Sequence, residues 1–178
     1  RSLPGTAELA GVHVLRTLDD ALALRAALDA GVSRVVVVGG GFIGAEVAAT
    51  CRARGAEVTL LEALDVPLGR VLGDEVGTVI ADLHRAHGVD VRLGVAVAGL
   101  MPGPADVPGL ASTAEGGGRR VRSVRLADGG EIAADLVVVG IGVAPATGWL
   151  AGSGLPLDDG VVCDETTLVA PGIVAAGD

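Results

Sequence analysis

The chain has no tyrosine, one tryptophan, one phenylalanine and two cysteines among its 178 residues. Each shortage removes a class of chemistry. Without Tyr there is no phenol to relay a proton, which excludes a stand-alone dehydrogenase built on a Tyr–Lys pair. Cys51 and Cys163 form no CxxC motif, so neither a structural zinc nor a redox pair local to this chain is supported. Cys51 falls in a helical pattern and is expected to be a buried free thiol. Basic residues are outnumbered 13 to 22 by acids, for a net charge of −9 and a pI near 4.7. Nucleic acid is therefore not an expected partner, because a phosphate backbone calls for basic side chains. No signal peptide is visible, and the longest uncharged run, Leu136 to Leu157, holds five Gly and two Pro, poor material for a spanning helix. No membrane association is expected, and cytoplasm is the default location.

Half of the residues are apolar, mostly Ala, Val and Leu, enough for a proper core. They are arranged in a readable order. In "TLDDALALRAALDAG", Thr17 suits an N-cap, two acids follow in the first turn, and Gly31 suits a C-terminal stop. Leu18, Leu22, Leu24 and Leu28 are expected to form the apolar face of that helix. "RVVVVGG" follows as a short β-branched run, the pattern of a strand buried on both faces. "FIGAEVAATCRARG" reads as a helix ending at Gly55, "EVTLLE" as a second buried strand, "GDEVGTVIADLHRAHG" as a helix and "VDVRLG" as a third strand. This β-α-β-α-β run predicts parallel strands with right-handed crossovers. Beyond it, "VAVAGL", "RRVRSVRLADGGEIAADLVVVGIG" and the turn signal "DGG" predict short antiparallel strands and then one more buried strand, Leu136 to Val139. The 18 residues from Met101 to Gly118 hold three Pro and five Gly, and are expected to be a mobile loop or an insertion.

The chemistry concentrates at Gly39-x-Gly41-x-x-Gly44. Gly39 lets the strand turn, Gly41 lets a pyrophosphate approach bare backbone, and Gly44 lets the helix pack close to the strand. The helix that opens there presents free N–H groups and a positive dipole end to the phosphates. A lone GxGxxG is a weak signal. Here a buried strand precedes it, a helix follows, and an acid, Glu62, closes the next strand 23 positions after Gly39, close to the expected spacing of about 20. A carboxylate there can accept both hydroxyls of an adenosine ribose and would repel a 2′-phosphate, which favours NADH over NADPH. The plain alternative is a solvated strand-end Glu beside a tight turn. "ALDVPLGR" after Glu62 offers no Arg pair for a 2′-phosphate, although Arg70 alone could swing towards the sugar. His84 and His87, three apart on a helix, have no further ligands nearby in sequence and read as a solvated face with no metal.

"GVHVLRTLDDALALRAAL", "VVVVGGGFIGAEVAA", "DLVVVGIGVAPAT" and the terminal "TTLVAPGIVAAGD" together resemble the middle of the FAD-dependent pyridine nucleotide–disulfide oxidoreductases, and most closely their ferredoxin and rubredoxin reductase branch. The resemblance implies an α/β fold: a Rossmann-like parallel sheet with helices and a small antiparallel β-meander on one face, a three-layer ββα-type NAD-binding domain. It also implies that the chain is a piece of a longer protein, with residues 1–14 leaving one half of an FAD domain, 15–146 forming the NAD(H)-binding domain, and 147–178 returning towards the FAD domain. Gly39, Gly40, Gly41 and Gly44 would cradle the NAD pyrophosphate. Phe42 falls where the family often has an aromatic gate over the nicotinamide, the alternative being a core Phe at the helix start. Ile43 would line the same pocket, and Glu46 would lie near the nicotinamide amide unless it is an ordinary exposed helix Glu. Gly140, Ile141 and Gly142 would bring a second glycine-rich strand end to the cofactor, and Asp178 matches the acid that binds the ribityl chain of FAD. Where similar reductases often carry Arg-Pro-Asn, this chain has Ala144, Pro145, Ala146. The function implied is transfer of hydride from NADH to FAD and of electrons onward to a ferredoxin or rubredoxin, with no catalytic side chain from this segment. Two alternatives stay open: a disulfide reductase of the same superfamily and a non-catalytic dinucleotide-binding module.

Overall fold

A computed structural model of the chain describes residues 3, 9–104 and 119–177. The described residues divide into two compact units, one running to Ile141 and one starting at Gly142. Val12–His13 (β1) is an edge strand, paired in parallel with Leu136–Val139 (β8).

In the larger unit, Arg34–Val38 (β2), Glu57–Leu61 (β3) and Asp90–Arg92 (β4) complete a parallel sheet in the order β1-β8-β2-β3-β4. Three helices connect these strands: Leu18–Asp29 (α1), Phe42–Ala53 (α2) and Gly69–Ala86 (α3). Period-2 alternation sorts the strand side chains into two cores. Val35, Val37, Val58, Leu60, Leu136 and Val138 pack with Leu24, Val47, Ala48, Cys51 and Ala81 of the helices. Val36, Val38, Leu61, Val137 and Val139 face the other way, against the antiparallel sheet Val97–Pro102 (β5), Val121–Leu126 (β6) and Glu131–Ala133 (β7). Valines buried on both faces are what a two-sided sheet requires, and each contributes about 1.5–3 kcal/mol by leaving water. Helices thus cover one face and the meander the other, the three-layer arrangement expected.

Local signals explain most boundaries. Thr17 and Asp20 form a reciprocal capping box at the start of α1. The expected leucine face of α1 is a correction: Leu24 is buried, but Leu18 and Leu22 are exposed. Leu18 and Leu24 are six residues apart, which places them about 120° apart around a helix; the four leucines spread over an arc of about 160°, and only the part of it around Leu24 and Leu28 is covered. α3 begins at Gly69, ahead of the expected start, and is broken at Gly73, where a φ of 77° interrupts the helix. Met101 and Pro102 belong to β5, and residues 105–118 of the expected loop lie outside the described residues. Cys51 is fully buried, and that burial pushes its thiol pKa up.

The smaller unit carries a short 3-10 turn, Gly148–Leu150, and a two-stranded antiparallel hairpin, Leu168–Ala170 (β9) with Ile173–Val174 (β10). Asp164 accepts from the backbone N–H groups of Thr166 and Leu168 and from the Thr166 hydroxyl, and these bonds lower its pKa. Trp149, the sole tryptophan, is 81% exposed on the 3-10 turn. No helix among the described residues is long and apolar enough to cross a membrane.

Candidate dinucleotide-binding site

β8, β2 and β3 are adjacent and in parallel register, with Val38 opposite both Leu61 and Val139. Three chain segments singled out from sequence therefore leave the sheet side by side at its carboxyl end: Gly39 to Gly44 after β2, Glu62 after β3, and Gly140 and Ile141 after β8. In parallel α/β sheets this is where ligands bind.

The glycines there have separate jobs. Gly39 has a φ of 102°, and a Cβ on it would collide with the Gly140 carbonyl. A Cβ on Gly44 would collide with the Gly39 carbonyl, so α2 sits directly against the strand end. A Cβ on Gly41 meets nothing within 4 Å, which leaves its backbone open to approach. Gly41 is the N-cap of α2, with φ −72° and ψ −175°, and its carbonyl accepts the first helical bond, from Ala45 N–H at 2.9 Å. The N–H groups of Gly41, Phe42 and Ile43 have no acceptor among the described residues. Unpartnered amides at a helix start, with the positive dipole end behind them, form a site for an anion; the dipole alone is worth about 0.3–1 kcal/mol to an exposed negative charge.

Glu62 is half-buried beside this loop. Its Oε2 accepts from the Gly40 N–H at 2.6 Å and its Oε1 from the Leu64 N–H at 2.9 Å. A carboxylate has about four acceptor positions, so two remain for a pair of sugar hydroxyls. The residues present thus fit a dinucleotide: open backbone and free amides for the diphosphate, an anionic acceptor at the next strand end for the ribose.

The other expected site residues are placed as follows. Phe42 and Ile43 are 53% and 40% exposed, so Phe42 is not a core side chain. Glu46 is exposed on α2 one turn inside the helix. Arg70 is exposed on the first turn of α3, with no ion-pair partner among the described residues. Gly142 belongs to the smaller unit and has a φ of 94°. Asp178 lies outside the described residues. His84 lines a cleft of about 460 Å³ with Arg52, Leu83 and His87; burial, and then His87, lowers the His84 pKa. The His87 Nδ1 lies 2.8 Å from the Leu83 carbonyl. Sequence reasoning missed the grip of Glu62 and Leu68 on Gly40. The one available signal was that position 40, left free by GxGxxG, is itself a glycine.

The sequence model for pyridine nucleotide-disulphide oxidoreductases matches residues 2–178. The chain belongs to that family. It is 42% identical over 175 residues to the ferredoxin reductase subunit of a 5,5′-dehydrodivanillate O-demethylase from Sphingobium sp., an alignment covering 98% of this chain and 39% of the relative. Among solved structures, it is similar to the ferredoxin reductase of the CYP199A2 system from Rhodopseudomonas palustris, with a TM-score of 0.77, 37% identity, and 92% of this chain and 37% of that one covered. The covalent putidaredoxin reductase–putidaredoxin complex matches with a TM-score of 0.78 and 35% identity, over 94% of this chain and 38% of that one. The chain therefore spans about two fifths of the length of these relatives, which are themselves ferredoxin reductases, and it shares their Rossmann-type fold.

Proposed function

We propose that this chain binds NADH, as the dinucleotide-binding part of an FAD-dependent reductase that delivers electrons to a ferredoxin- or rubredoxin-type acceptor. The observation that carries the reading is the pairing of free amides at Gly41 to Ile43 with the Glu62 carboxylate one strand away. When bound, NADH supplies a hydride at nicotinamide C4, and the flavin of the complete enzyme is its acceptor. This chain's residues do the rest. The loop amides hold the diphosphate, Glu62 accepts from the ribose hydroxyls, and Phe42, Ile43 and Ile141 form an apolar rim beside the loop that keeps water from the ring. Glu46 would contact the nicotinamide amide, and Gly140 would bring the second strand end to the cofactor. No general acid or base is required, because the cofactors carry the chemistry and the protein supplies distance and orientation. The acceptor class is supported by the ferredoxin reductases and the putidaredoxin complex among the similar proteins. FAD is expected from the family; Asp178 is the residue of this chain proposed to reach it.

Calorimetric titration tests the reading. NADH is expected to bind more tightly than NADPH, because Glu62 would face the 2′-phosphate with like charge. Glu62→Ala should narrow that preference by about tenfold, the size of one charge-assisted hydrogen bond or close charge pair. Equal or reversed affinities for the two dinucleotides in the wild-type chain would overturn the assignment.

A further inference from the structure

Glu62 does more at this site than select the sugar. We infer that it is a positioning residue for the phosphate loop, acting together with the rest of the segment that joins β3 to α3. The inference rests on the NADH reading above and deepens it.

Three observations converge on Gly40. Its N–H donates to the Glu62 Oε2 at 2.6 Å, a short charge-assisted bond. Its carbonyl accepts from the Leu68 N–H at 3.1 Å. A Cβ on Gly40 would lie 3.0 Å from both the Glu62 Oε2 and the Pro67 Cβ, so the joining segment is seated directly on it. Both polar groups of one loop residue are thus held by residues 62–68. From the same strand end, the Leu61 carbonyl accepts from the neighbouring Gly39 N–H at 2.7 Å. The next residues along the chain, Gly41 to Ile43, carry the free amides. Their direction is set by what holds Gly40.

The joining segment is built to keep this grip. The Leu64 N–H bonds the other carboxylate oxygen at 2.9 Å, which fixes the plane of the group. Leu68 sits at φ 58° and ψ 9°, a left-handed conformation that a residue with a Cβ adopts only when its surroundings impose it. Pro67 and Leu68 are both buried, and that burial holds Leu68 where its N–H meets the Gly40 carbonyl. A carboxylate acting only as a sugar acceptor would need none of these contacts. With two acceptor positions on Gly40 and Leu64 and two left over, Glu62 can hold the loop and the ribose at once.

The two roles separate on a ligand that lacks the hydroxyls. Affinities are measured for NADH and for its reduced analogue with a 2′,3′-dideoxy adenosine ribose, on the wild-type chain, Glu62→Ala and Glu62→Gln. In parallel, exchange of the Gly40 amide is followed by NMR in the ligand-free proteins. If Glu62 positions the loop, Glu62→Ala binds even the dideoxy analogue about tenfold more weakly than the wild type does, by loss of a hydrogen bond to a charged group. Glu62→Gln, whose side-chain oxygen can still accept from Gly40, recovers part of that loss, and the Gly40 amide exchanges faster in Glu62→Ala than in the other two proteins. Equal affinity of wild type and Glu62→Ala for the analogue, or equal Gly40 exchange in the two, overturns the inference and leaves the NADH site standing. Should Glu62→Ala fail to fold, Glu62→Gln against wild type decides: an unshifted Gly40 amide resonance overturns the inference, and a shifted one supports it. A wild-type chain that binds neither dinucleotide removes the NADH reading itself, and this inference with it.

Discussion

The two ends of the parallel sheet are built on opposite plans. At the amino end, side chains stitch the elements together. Arg34, the first residue of β2, grips Asp135, just before β8, through its own N–H at 3.0 Å and through two guanidinium bonds at 3.1 and 2.6 Å. Arg52 of α2 donates to the carbonyls of His87 and Ala56 at 3.1 and 3.3 Å, and Arg54 pairs with Asp29 of α1. At the carboxyl end around Gly39 to Gly44 the elements meet backbone to backbone, and Glu62 is the charged side chain that joins them. The difference shows how labour is divided. One end is closed by charge-assisted bonds that satisfy strand and helix termini. The other is stripped of side chains so that its amides stay available to a ligand.

Substitutions can break or sharpen that contrast. The largest effect belongs to Gly44→Ala. Its methyl group would occupy the Gly39 carbonyl oxygen, so the variant is expected to lose about 3 kcal/mol or more of stability, read as a drop in urea midpoint or as failure to fold. Gly41→Val should separate binding from folding. A Cβ there meets nothing within 4 Å and the backbone is already extended, so the urea midpoint should hold while NADH affinity falls about tenfold to a hundredfold, as hydrogen bonds to a charged group are lost. An unchanged affinity in calorimetry would show that the diphosphate lies elsewhere.

At the other end the expectation reverses. Arg52→Ala should lower stability by about 1 kcal/mol, leaving two carbonyls to water, with NADH affinity unaltered. The smallest effect is that of Asp135→Asn. The side-chain hydrogen bond from Arg34 is the main cause holding the Asp135 pKa below its usual range. A carboxyl depressed in the folded state contributes stability above its unfolded pKa and loses it as pH falls through the folded one. The pair is over a third exposed, so its worth is at most about 1 kcal/mol. Wild type should be the more stable of the two at neutral pH, and the gap should close as urea melts are taken below about pH 4.

Much of this was legible in the sequence because short-range chemistry decides it. Thr17 caps α1 through residues three positions away, and the four valines of β2 declare a strand with two covered faces. The fingerprint glycines and Glu62 were findable by spacing, since a strand–turn–helix carries its own ruler. What escaped depends on distant partners. Val12–His13 is a strand only because β8, far along the chain, offers it an edge. Leu18 and Leu22 look like core residues until the helix is wound and they turn away from Leu24. The left-handed Leu68 has no sequence signature, because a leucine adopts that conformation only when Pro67 and Gly40 are already in place. The role of Gly40 was hidden for a similar reason: it is a glycine because of Glu62 and Pro67, more than twenty positions away.

The single indole has a practical consequence. Trp149 stands almost bare on its 3-10 turn, and there is no tyrosine anywhere in the chain. Its emission starts out water-quenched and reports on the small C-terminal unit. The valine-rich sheet carries no tryptophan or tyrosine of its own, so its unfolding has to be watched through its backbone, by far-ultraviolet dichroism or amide exchange.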